Sequence, residues 1–327
     1  MRLSNVVTVF NKRAYISDLA DSILMQDAGP VEVVFVDDRS TDGSWEETQR
    51  ACARLEAAGH RTTHLRLPEN CGPSVATNVG IRHAQGEWIF FIDADDMVAP
   101  GAANMMLGVA AACDADFIYG GKATFTDELP GPAKAGKIAV YDDAVWGMVS
   151  TRLVCPRFIC RRELAAEGCD ERIFVQDVSL PLRIANRSKR MVHLSAPAIL
   201  QRKLPVSISS NDLQLVADFV GAAGHFLNDV ETSRRSRLRL LRRCFRKLNK
   251  SGRRTWTNRF LWLLSGIKLA PAKAEQHVLR EFHAMLTEGC LRRSVPKPNI
   301  IAQINPPSSE TLSETHSRSH AHACGSV

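Results

Sequence analysis

The chain has 327 residues, of which 45% are hydrophobic and 24% are charged. This composition excludes a wholly disordered, collagen-like or low-complexity protein, and the length favours about two folded units. The net charge of +7 comes from 42 Lys and Arg against 35 Asp and Glu. Such a balance is typical of proteins with nucleic-acid or anionic-membrane partners, so the position of the charges along the chain matters.

Cysteine usage and apolar runs both indicate a cytoplasmic protein. The nine cysteines are an odd number and form no CxxC pair or zinc-type spacing, which predicts reduced thiols. The N-terminal residues lack the three regions of a signal peptide. No apolar stretch reaches the roughly 18 residues that span a bilayer. The longest candidate, residues 260–270, contains Ser265 and Lys268.

The first 120 residues alternate short β-branched runs with helix-like stretches. This alternation predicts an α/β fold with a Rossmann-like, mostly parallel sheet flanked by helices. The expected strands span residues 5–10, 31–36, 62–67, 88–92 and 117–119. The expected helices span residues 14–26, 43–58, 73–84 and 100–112. Two of these helices have a proline that suits a first helical turn.

Composition divides the chain into three parts. Residues 1–211 are expected to form the α/β domain. Residues 212–293 are expected to form a helical, basic appendage, because residues 213–230 are apolar at helical spacing and residues 234–259 contain twelve Lys and Arg and no acid. Without those twelve, 30 basic residues face 35 acidic ones, so the rest of the chain is net negative. Residues 294–327, rich in Pro, Ser, Thr and His, are expected to be a disordered tail.

The basic segment has two interpretations. It carries one apolar stripe at helical spacing among arginines, formed by Leu238, Leu241, Phe245 and Leu248. Together with the aromatic residues up to Trp262, the stripe would lie on anionic lipid, making the protein peripheral at the inner face of the membrane through residues 234–262. Alternatively, the stripe packs against the α/β domain and the arginines stay solvated.

Carboxylates follow two of the expected strands directly. Asp37 and Asp38 end the second strand, and Asp93, Asp95 and Asp96 end the fourth. Neighbouring carboxylates at the mouth of a buried strand repel each other, so they need a cation, a ligand or hydrogen-bond donors. The second group is a hard-oxygen cluster suited to Mg²⁺ or Mn²⁺. The competing interpretation of the first group is an Asx turn with a helix N-cap at Asp42 or Thr41, and that of the second group is an acidic cap for the helix after Pro100.

The order of the motifs resembles that of the family 2 glycosyltransferases, which have the GT-A fold and use nucleotide-activated sugars. The motifs are VTVFN at residues 7–11, DDRSTD at 37–42, NCGPSVATNVG at 70–80 and GEWIFFIDADD at 86–96. The resemblance covers about residues 1–210. Neither the GxGxxG fingerprint of dinucleotide-binding folds nor a P-loop occurs in the chain.

The resemblance assigns roles to individual residues. Thr8, Phe10 and Asn11 would border the nucleotide base and ribose. Either Asp37 or Asp38 would accept a hydrogen bond from the base. Asn78 would lie near the nucleotide or sugar. Asp93 and Asp95, with Asp96 beside them, would hold the diphosphate through Mg²⁺ or Mn²⁺. Arg202 would bind the phosphate oxygens of the donor. The chain departs from the family pattern at Thr8, where Pro is usual, and at Thr77, where Arg is common.

Two later segments resemble the family's catalytic and lid motifs. In IFVQDVSL, residues 173–180, Gln176 replaces the Glu of the family's Glu-Asp pair, while Asp177 remains as the implied catalytic base. In QRKLPVSIS, residues 201–209, Arg202 remains to bind the diphosphate, whereas Gln201 and Leu204 replace the Tyr and His of Tyr-Arg-x-His. The competing interpretations are a helix N-cap for Asp177 and a surface cation for Arg202.

The resemblance therefore implies an inverting glycosyltransferase. It would move a sugar from a nucleoside-diphosphate sugar, expected to be a UDP-sugar, to a hydroxyl of a saccharide or lipid-linked acceptor in the synthesis of cell-surface polysaccharide or glycolipid. The alternatives are a nucleotidyltransferase, a catalytically silent nucleotide-sugar-binding protein and an RNA-binding protein. Nucleic acid is disfavoured as a partner, because only 6% of residues are aromatic and they do not interleave with basic residues.

Overall fold

The computed structural model describes residues 2–126, 136–151, 157–173, 176–204 and 232–250, together with residues 219, 222, 223 and 226. The described residues all belong to one compact unit. The predicted tail lies wholly outside the described residues. The domain boundary expected near residue 211 stays a prediction.

Nine strands and seven α-helices cover most of the described chain. The strands are β1 (Leu3–Val9), β2 (Glu32–Asp37), β3 (Arg61–Arg66), β4 (Trp88–Asp93), β5 (Met97–Val98), β6 (Phe117–Phe125), β7 (Ile138–Tyr141), β8 (Phe158–Arg161) and β9 (Met191–Arg202). The helices are α1 (Arg13–Leu24), α2 (Ser44–Ala57), α3 (Pro73–His83), α4 (Ala102–Ala112), α5 (Ala144–Thr151), α6 (Gln176–Arg187) and α7 (Arg234–Lys250).

All nine strands form one mixed sheet. Its order is β3-β2-β1-β4-β8-β6-β9-β5, and β7 pairs with β9. The half made of β3, β2, β1 and β4 is parallel throughout. In the other half, β8 runs antiparallel between β4 and β6, while β6 and β9 are parallel. The predicted α/β fold with a largely parallel, helix-flanked sheet is confirmed.

The alternation of side chains along the strands explains how the two helical layers form. Leu3, Val7 and Val9 of β1 face one hydrophobic cluster, which is covered by α1, α2 and α4. Val6 faces the opposite cluster, which is covered by α3, α5, α6 and α7. Successive strand side chains point to opposite faces, so Thr8 lies on the face of Val6.

The predicted elements match the structure best in the first 112 residues, where every expected strand and helix is present within two residues of its predicted bounds. The prediction was incomplete for the short strand β5, which lies within these residues, and for the strands beyond them. β6 runs six residues past the predicted end at Tyr119, and β5, β7, β8 and β9 were not predicted. The predicted helix at 213–230 lies mostly outside the described residues, but Phe219, Ala222, Ala223 and Phe226 are helical and buried.

Helix α7 packs against the domain. Its buried face consists of Ser236, Leu240, Leu241 and Cys244, and the last three belong to the same hydrophobic cluster as α5. Of the predicted stripe, Leu241 is buried and Leu238 is partly buried against the same cluster, while Phe245 and Leu248 have side chains outside the described set. This supports the packing interpretation for the described part of the helix. Membrane contact through residues 234–262 stays a prediction.

No helix within the described residues is both long enough and apolar enough to cross a bilayer.

Asp143 joins the start of α5 to the start of α7. Its carboxylate accepts hydrogen bonds from the Trp146 backbone N–H at 2.8 Å and from the Ser233 hydroxyl at 2.7 Å, and it pairs with Arg235 at 3.3 Å. Burial raises its pKa, but the hydrogen bonds from Ser233 and Trp146 and the charge of Arg235 outweigh burial and hold the pKa of Asp143 below its usual value. Asp143 thus caps α5 and holds Ser233, whose hydroxyl oxygen accepts the Ser236 N–H at 3.4 Å at the start of α7.

We expect Asp143→Ala to lower the free energy of unfolding by about 1–3 kcal/mol at pH 7, because it removes a helix cap and leaves its donors unpaired. Since the folded-state pKa of Asp143 is lowered, its stabilisation is present above about pH 4 and is lost as the pH falls through the lowered pKa. Urea denaturation at pH 7 and pH 3 measures both effects. The neighbouring, largely exposed Asp142 provides the control, Asp142→Ala, and equal midpoints for the two variants would contradict the assignment.

Candidate active site

The carboxyl ends of β1, β2 and β4 meet at one edge of the sheet. β1 lies between β2 and β4, with Val9 aligned with Asp37 and Thr8 aligned with Asp93. In open α/β sheets, ligands bind in the crevice at this edge, where the strand order reverses. The topology therefore brings the two predicted groups of carboxylates to the same side of the molecule.

The turn after β1 is fixed by hydrogen bonds to the turn after β2. Asn11 has a positive φ of 52°, its N–H donates to the Ser40 hydroxyl at 3.0 Å, and its side-chain oxygen accepts from the Thr41 N–H at 2.9 Å. Phe10, just before it, has an exposed fraction of 41%. An exposed aromatic ring at this edge is a suitable surface for a nucleotide base, which is the role predicted for Phe10.

The two acids that end β2 hold loops in place. Asp37 is fully buried and pairs with the Arg66 guanidinium at 3.1 Å. Asp38 accepts the N–H groups of Cys71 at 2.7 Å and Gly72 at 2.9 Å. Burial raises the pKa of Asp38 to about 6 despite these two hydrogen bonds. Both carboxylates therefore shape the site, and their contact with the base stays a prediction.

Asp93, Asp95 and Asp96 form a strongly acidic cluster at the end of β4. Burial, together with the charges of Asp177, Asp96 and Asp95, raises the pKa of Asp93 well above its usual value. Burial and the charge of Asp95 raise the pKa of Asp96 to about 7. The Asp95 carboxylate pairs with the Lys12 ammonium at 2.5 Å. The cluster carries more negative charge than its protein partners compensate.

Asp177 faces this cluster from the helical layer on the side of Thr8. The helix α6 begins at Gln176, and Asp177 is therefore the second residue of its first turn. A small cavity is lined by Asp177 and Asp93 together with Thr8, Thr77 and Gln176. Burial raises the pKa of Asp177 to about 6, although the charges of two nearby cations oppose that rise. A carboxyl group with this pKa is suited to accept a proton near neutral pH.

The side chain of Asn78 is hydrogen-bonded to the segment that leads to Asp177. It is buried, and its amide nitrogen donates to the Cys169 carbonyl at 3.1 Å and to Glu171 at 2.9 Å. Its side-chain oxygen accepts from the Cys169 N–H at 2.6 Å. A Cβ at Gly168, whose φ is +64°, would lie 2.3 Å from that oxygen. The structure thus places Asn78 as a loop anchor, and its predicted contact with the nucleotide or sugar stays a prediction.

Arg202 lies beside the acidic cluster, and its guanidinium Nε donates to the Asp95 carbonyl at 3.4 Å. Its backbone N–H donates to Asp96 at 3.0 Å, while its guanidinium pairs with Asp18 at 2.6 Å. The guanidinium also lies over the rings of Tyr15, at 5.0 Å, and Phe125, at 4.6 Å. The side chain is only 15% exposed. The alternative of a surface cation is wrong, and diphosphate binding by Arg202 would require its side chain to leave Asp18.

The sequence analysis missed three cations at the site. Lys12 pairs with Asp95. The charges of Lys122 and Arg157 oppose the rise in the pKa of Asp177 that burial causes. Lys122 also donates to Gln201, and Arg157 lies over the Tyr119 ring at 5.4 Å. Lys12 directly follows the recognised VTVFN motif, so its position was available as a signal. Lys122 gave no such signal, because β6 was predicted to end before it.

The donor set fits a divalent cation. Within the described part of the chain, no three His, Cys, Asp or Glu side chains already converge on one point. Mg²⁺ at phosphate sites is usually held by one or two carboxylates and by the substrate's own phosphates, so such a cage is not required. Asp93 and Asp95 supply hard oxygen atoms, and burial together with the neighbouring carboxylates raises the pKa values of Asp93 and Asp96.

The motifs and the sheet edge can now be compared with known proteins. A family model described as Glycosyl transferase family 2 matches residues 4–167, which is half of the chain. The chain belongs to this family. The match spans β1 to β8 and therefore includes both groups of carboxylates at the sheet edge. The expected family is confirmed.

Family 2 relatives and solved structures agree with this assignment. The Bacillus subtilis protein named putative teichuronic acid biosynthesis glycosyltransferase TuaG is 36% identical over 94 residues, 29% of this chain and 36% of TuaG. The chain spans less than two fifths of the length of this and two other curated relatives that it matches.

Two solved structures have the same fold. Staphylococcus aureus TarS 1-349 in complex with UDP-GlcNAc has a TM-score of 0.62 at 19% identity, covering 89% of this chain and 82% of TarS 1-349. The mannosyltransferase PcManGT from Pyrobaculum calidifontis, in complex with GDP-Man and Mn²⁺, has a TM-score of 0.55 at 18% identity. The match covers 87% of this chain and 84% of the PcManGT chain. The GT-A fold expected from the sequence is confirmed.

Proposed function

We propose that this family 2 member is an inverting glycosyltransferase that moves a sugar from a nucleoside-diphosphate sugar to an acceptor hydroxyl. The observation that carries the proposal is the shared cavity of Asp177 and Asp93. It pairs a carboxyl group poised to accept a proton with the acidic cluster suited to a metal-bound diphosphate. Membership of the family supports the same reaction.

Asp177 acts as the general base in this proposal. Its carboxylate takes the proton of the acceptor hydroxyl as that oxygen attacks the anomeric carbon of the sugar. The nucleoside diphosphate leaves from the opposite face, so the configuration of the anomeric carbon inverts. The same reasoning, with a base across the ring from the leaving oxygen, applies to inverting glycosidases.

Asp93 and Asp95, with Asp96 beside them, would hold a Mg²⁺ or Mn²⁺ ion together with the donor diphosphate. The ion supplies Lewis-acid stabilisation of the negative charge on the leaving group. The mannosyltransferase PcManGT was solved with Mn²⁺, which supports a divalent ion here. Thr8, Phe10, Asn11 and the Asp37–Asp38 pair would border the base and ribose.

A UDP-sugar is the proposed donor, and cell-surface polysaccharide the proposed product. TarS was solved with UDP-GlcNAc, whereas the mannosyltransferase was solved with GDP-Man, so the fold accommodates both nucleotides. TuaG is named for teichuronic acid biosynthesis, which supports a saccharide or lipid-linked acceptor. The cytoplasmic location expected from the sequence accords with use of a nucleotide-sugar.

A panel of donors tests the proposal. The protein is incubated with UDP-, GDP- and dTDP-sugars, with Mn²⁺ or with EDTA, and release of nucleoside diphosphate is measured. We expect one donor, a UDP-sugar, to be consumed only with Mn²⁺. Release of pyrophosphate from a nucleoside triphosphate and a sugar phosphate would favour a nucleotidyltransferase. Tight donor binding without turnover over a panel of glycan acceptors would favour a silent binding protein.

A further inference from the structure

Lys12 forms an ion pair with one of the proposed metal-binding carboxylates. Its ammonium pairs with Asp95 Oδ2 at 2.5 Å, and the two side chains are only 26% and 19% exposed. The charge of Lys12 also acts on Asp93 and Asp96. One ammonium group therefore faces all three carboxylates that follow β4.

The backbone of Lys12 is held in place, so the ammonium can move only through its side chain. The Lys12 N–H donates to the Ser44 hydroxyl at 2.8 Å, and its carbonyl accepts the Tyr15 N–H at 2.9 Å. The preceding residue, Asn11, is tied to the turn after β2. A lysine side chain has four rotatable carbon–carbon bonds, so its charge can turn while its Cα remains fixed.

A divalent cation and an ammonium group on one carboxylate repel each other and compete for its lone pairs. Binding of the metal to Asp95 would therefore displace the Lys12 ammonium. A displaced ammonium anchored at this edge lies within the crevice that receives the phosphates. Lysine binds phosphate as a compact point charge, so the diphosphate offers it a new partner.

We propose that Lys12 competes with the divalent cation for Asp95 and, once displaced, pairs with the diphosphate of the donor. This inference rests on the proposed function. Its consequence is that metal and nucleotide bind cooperatively: the metal alone must displace a lysine, whereas the metal with the diphosphate gives that lysine a replacement anion. Such a coupling is reciprocal between the two ligands.

The test measures binding rather than activity. Mn²⁺ affinity is determined by electron paramagnetic resonance of free Mn²⁺, with and without saturating UDP, for the wild type and for Lys12→Met. We expect Lys12→Met to bind Mn²⁺ alone about tenfold more tightly and Mn²⁺–UDP more weakly, so that the cooperativity between the two ligands falls. Lys12→Arg keeps the charge and should keep the cooperativity.

The matched control is Arg13→Met, which removes the next cation along the chain, an exposed one, and should change neither affinity. Thermal unfolding of each variant with and without UDP shows that the fold is intact, and Lys12→Gln provides a second neutral variant. If the wild type binds both ligands but both neutral variants keep its Mn²⁺ affinity and cooperativity, the role of Lys12 is overturned. If the wild type binds neither Mn²⁺ nor UDP at millimolar concentrations, the proposed function fails with it.

Discussion

Asp177→Asn is expected to lower kcat for sugar transfer by about 10²–10⁴-fold, the usual contribution of a general base. The amide has nearly the same shape as the carboxylate but cannot take up the acceptor proton. Donor binding should be almost unchanged, because the carboxylates proposed to bind the metal and the diphosphate belong to β4 and its following turn. Single-turnover transfer and calorimetric titration of the nucleotide-sugar measure the two properties separately.

The matched control for this variant is Glu167→Gln, which removes a half-exposed carboxylate paired with Arg183 and Arg187 on the same helical layer. It should leave transfer within a factor of about two, as expected for an exposed ion pair. Loss of donor binding in Asp177→Asn, to the same extent as the loss of transfer, would show that Asp177 is a structural or donor-binding group.

The pH profile gives a second measure of the same assignment. Burial raises the pKa of Asp177 to about 6, and a general base works only when it is deprotonated. Transfer should therefore increase as the pH rises through about 6 and then level off. If the rate of transfer by the wild type did not fall below about pH 6, the raised pKa would no longer support Asp177 as the general base.

The sequence predicted the first half of the fold well because each element there is determined locally. The run Val33–Val36 is buried on both faces, and Pro73 begins its helix at the predicted residue. The acids that end β2 and β4 were also recognised, since the carboxyl edge of a parallel sheet follows from strand order alone. The second half depends on pairings distant in sequence, such as Trp88 with Arg161, which no local pattern indicates.

The same distinction applies to the site. Asp93 and Asp177 were both named from the sequence, and the structure places them on one cavity. Side-chain partners were not predictable, because they depend on which loops meet. Asn78 illustrates this, because its motif suggested a contact with the ligand. In the structure its side-chain amide instead donates hydrogen bonds to Cys169 and Glu171, which lie more than ninety positions away in the sequence. Lys122 reaches the site only because β6 continues beyond its apolar half.

Asp95→Asn is expected to remove the metal dependence of nucleotide binding. With Mn²⁺ present, UDP should bind at least about tenfold more weakly than to the wild type, because a neutral amide is a poor ligand for a hard cation. With EDTA the two proteins should bind UDP equally. The control is Asp21→Asn, which removes an exposed carboxylate paired with Arg54 on α1 and α2. An unchanged titration of Mn²⁺ and UDP in Asp95→Asn would show that the metal lies elsewhere.

Combining this variant with Lys12→Met separates two causes of weaker binding. If Lys12 acts by competing for Asp95, its removal should tighten Mn²⁺ binding only while the carboxylate is present, so the two substitutions should be non-additive. If Lys12 acted simply through long-range repulsion of the cation, the same tightening would persist in the Asp95→Asn background. The double variant therefore distinguishes direct competition at one oxygen atom from the general field of a nearby charge.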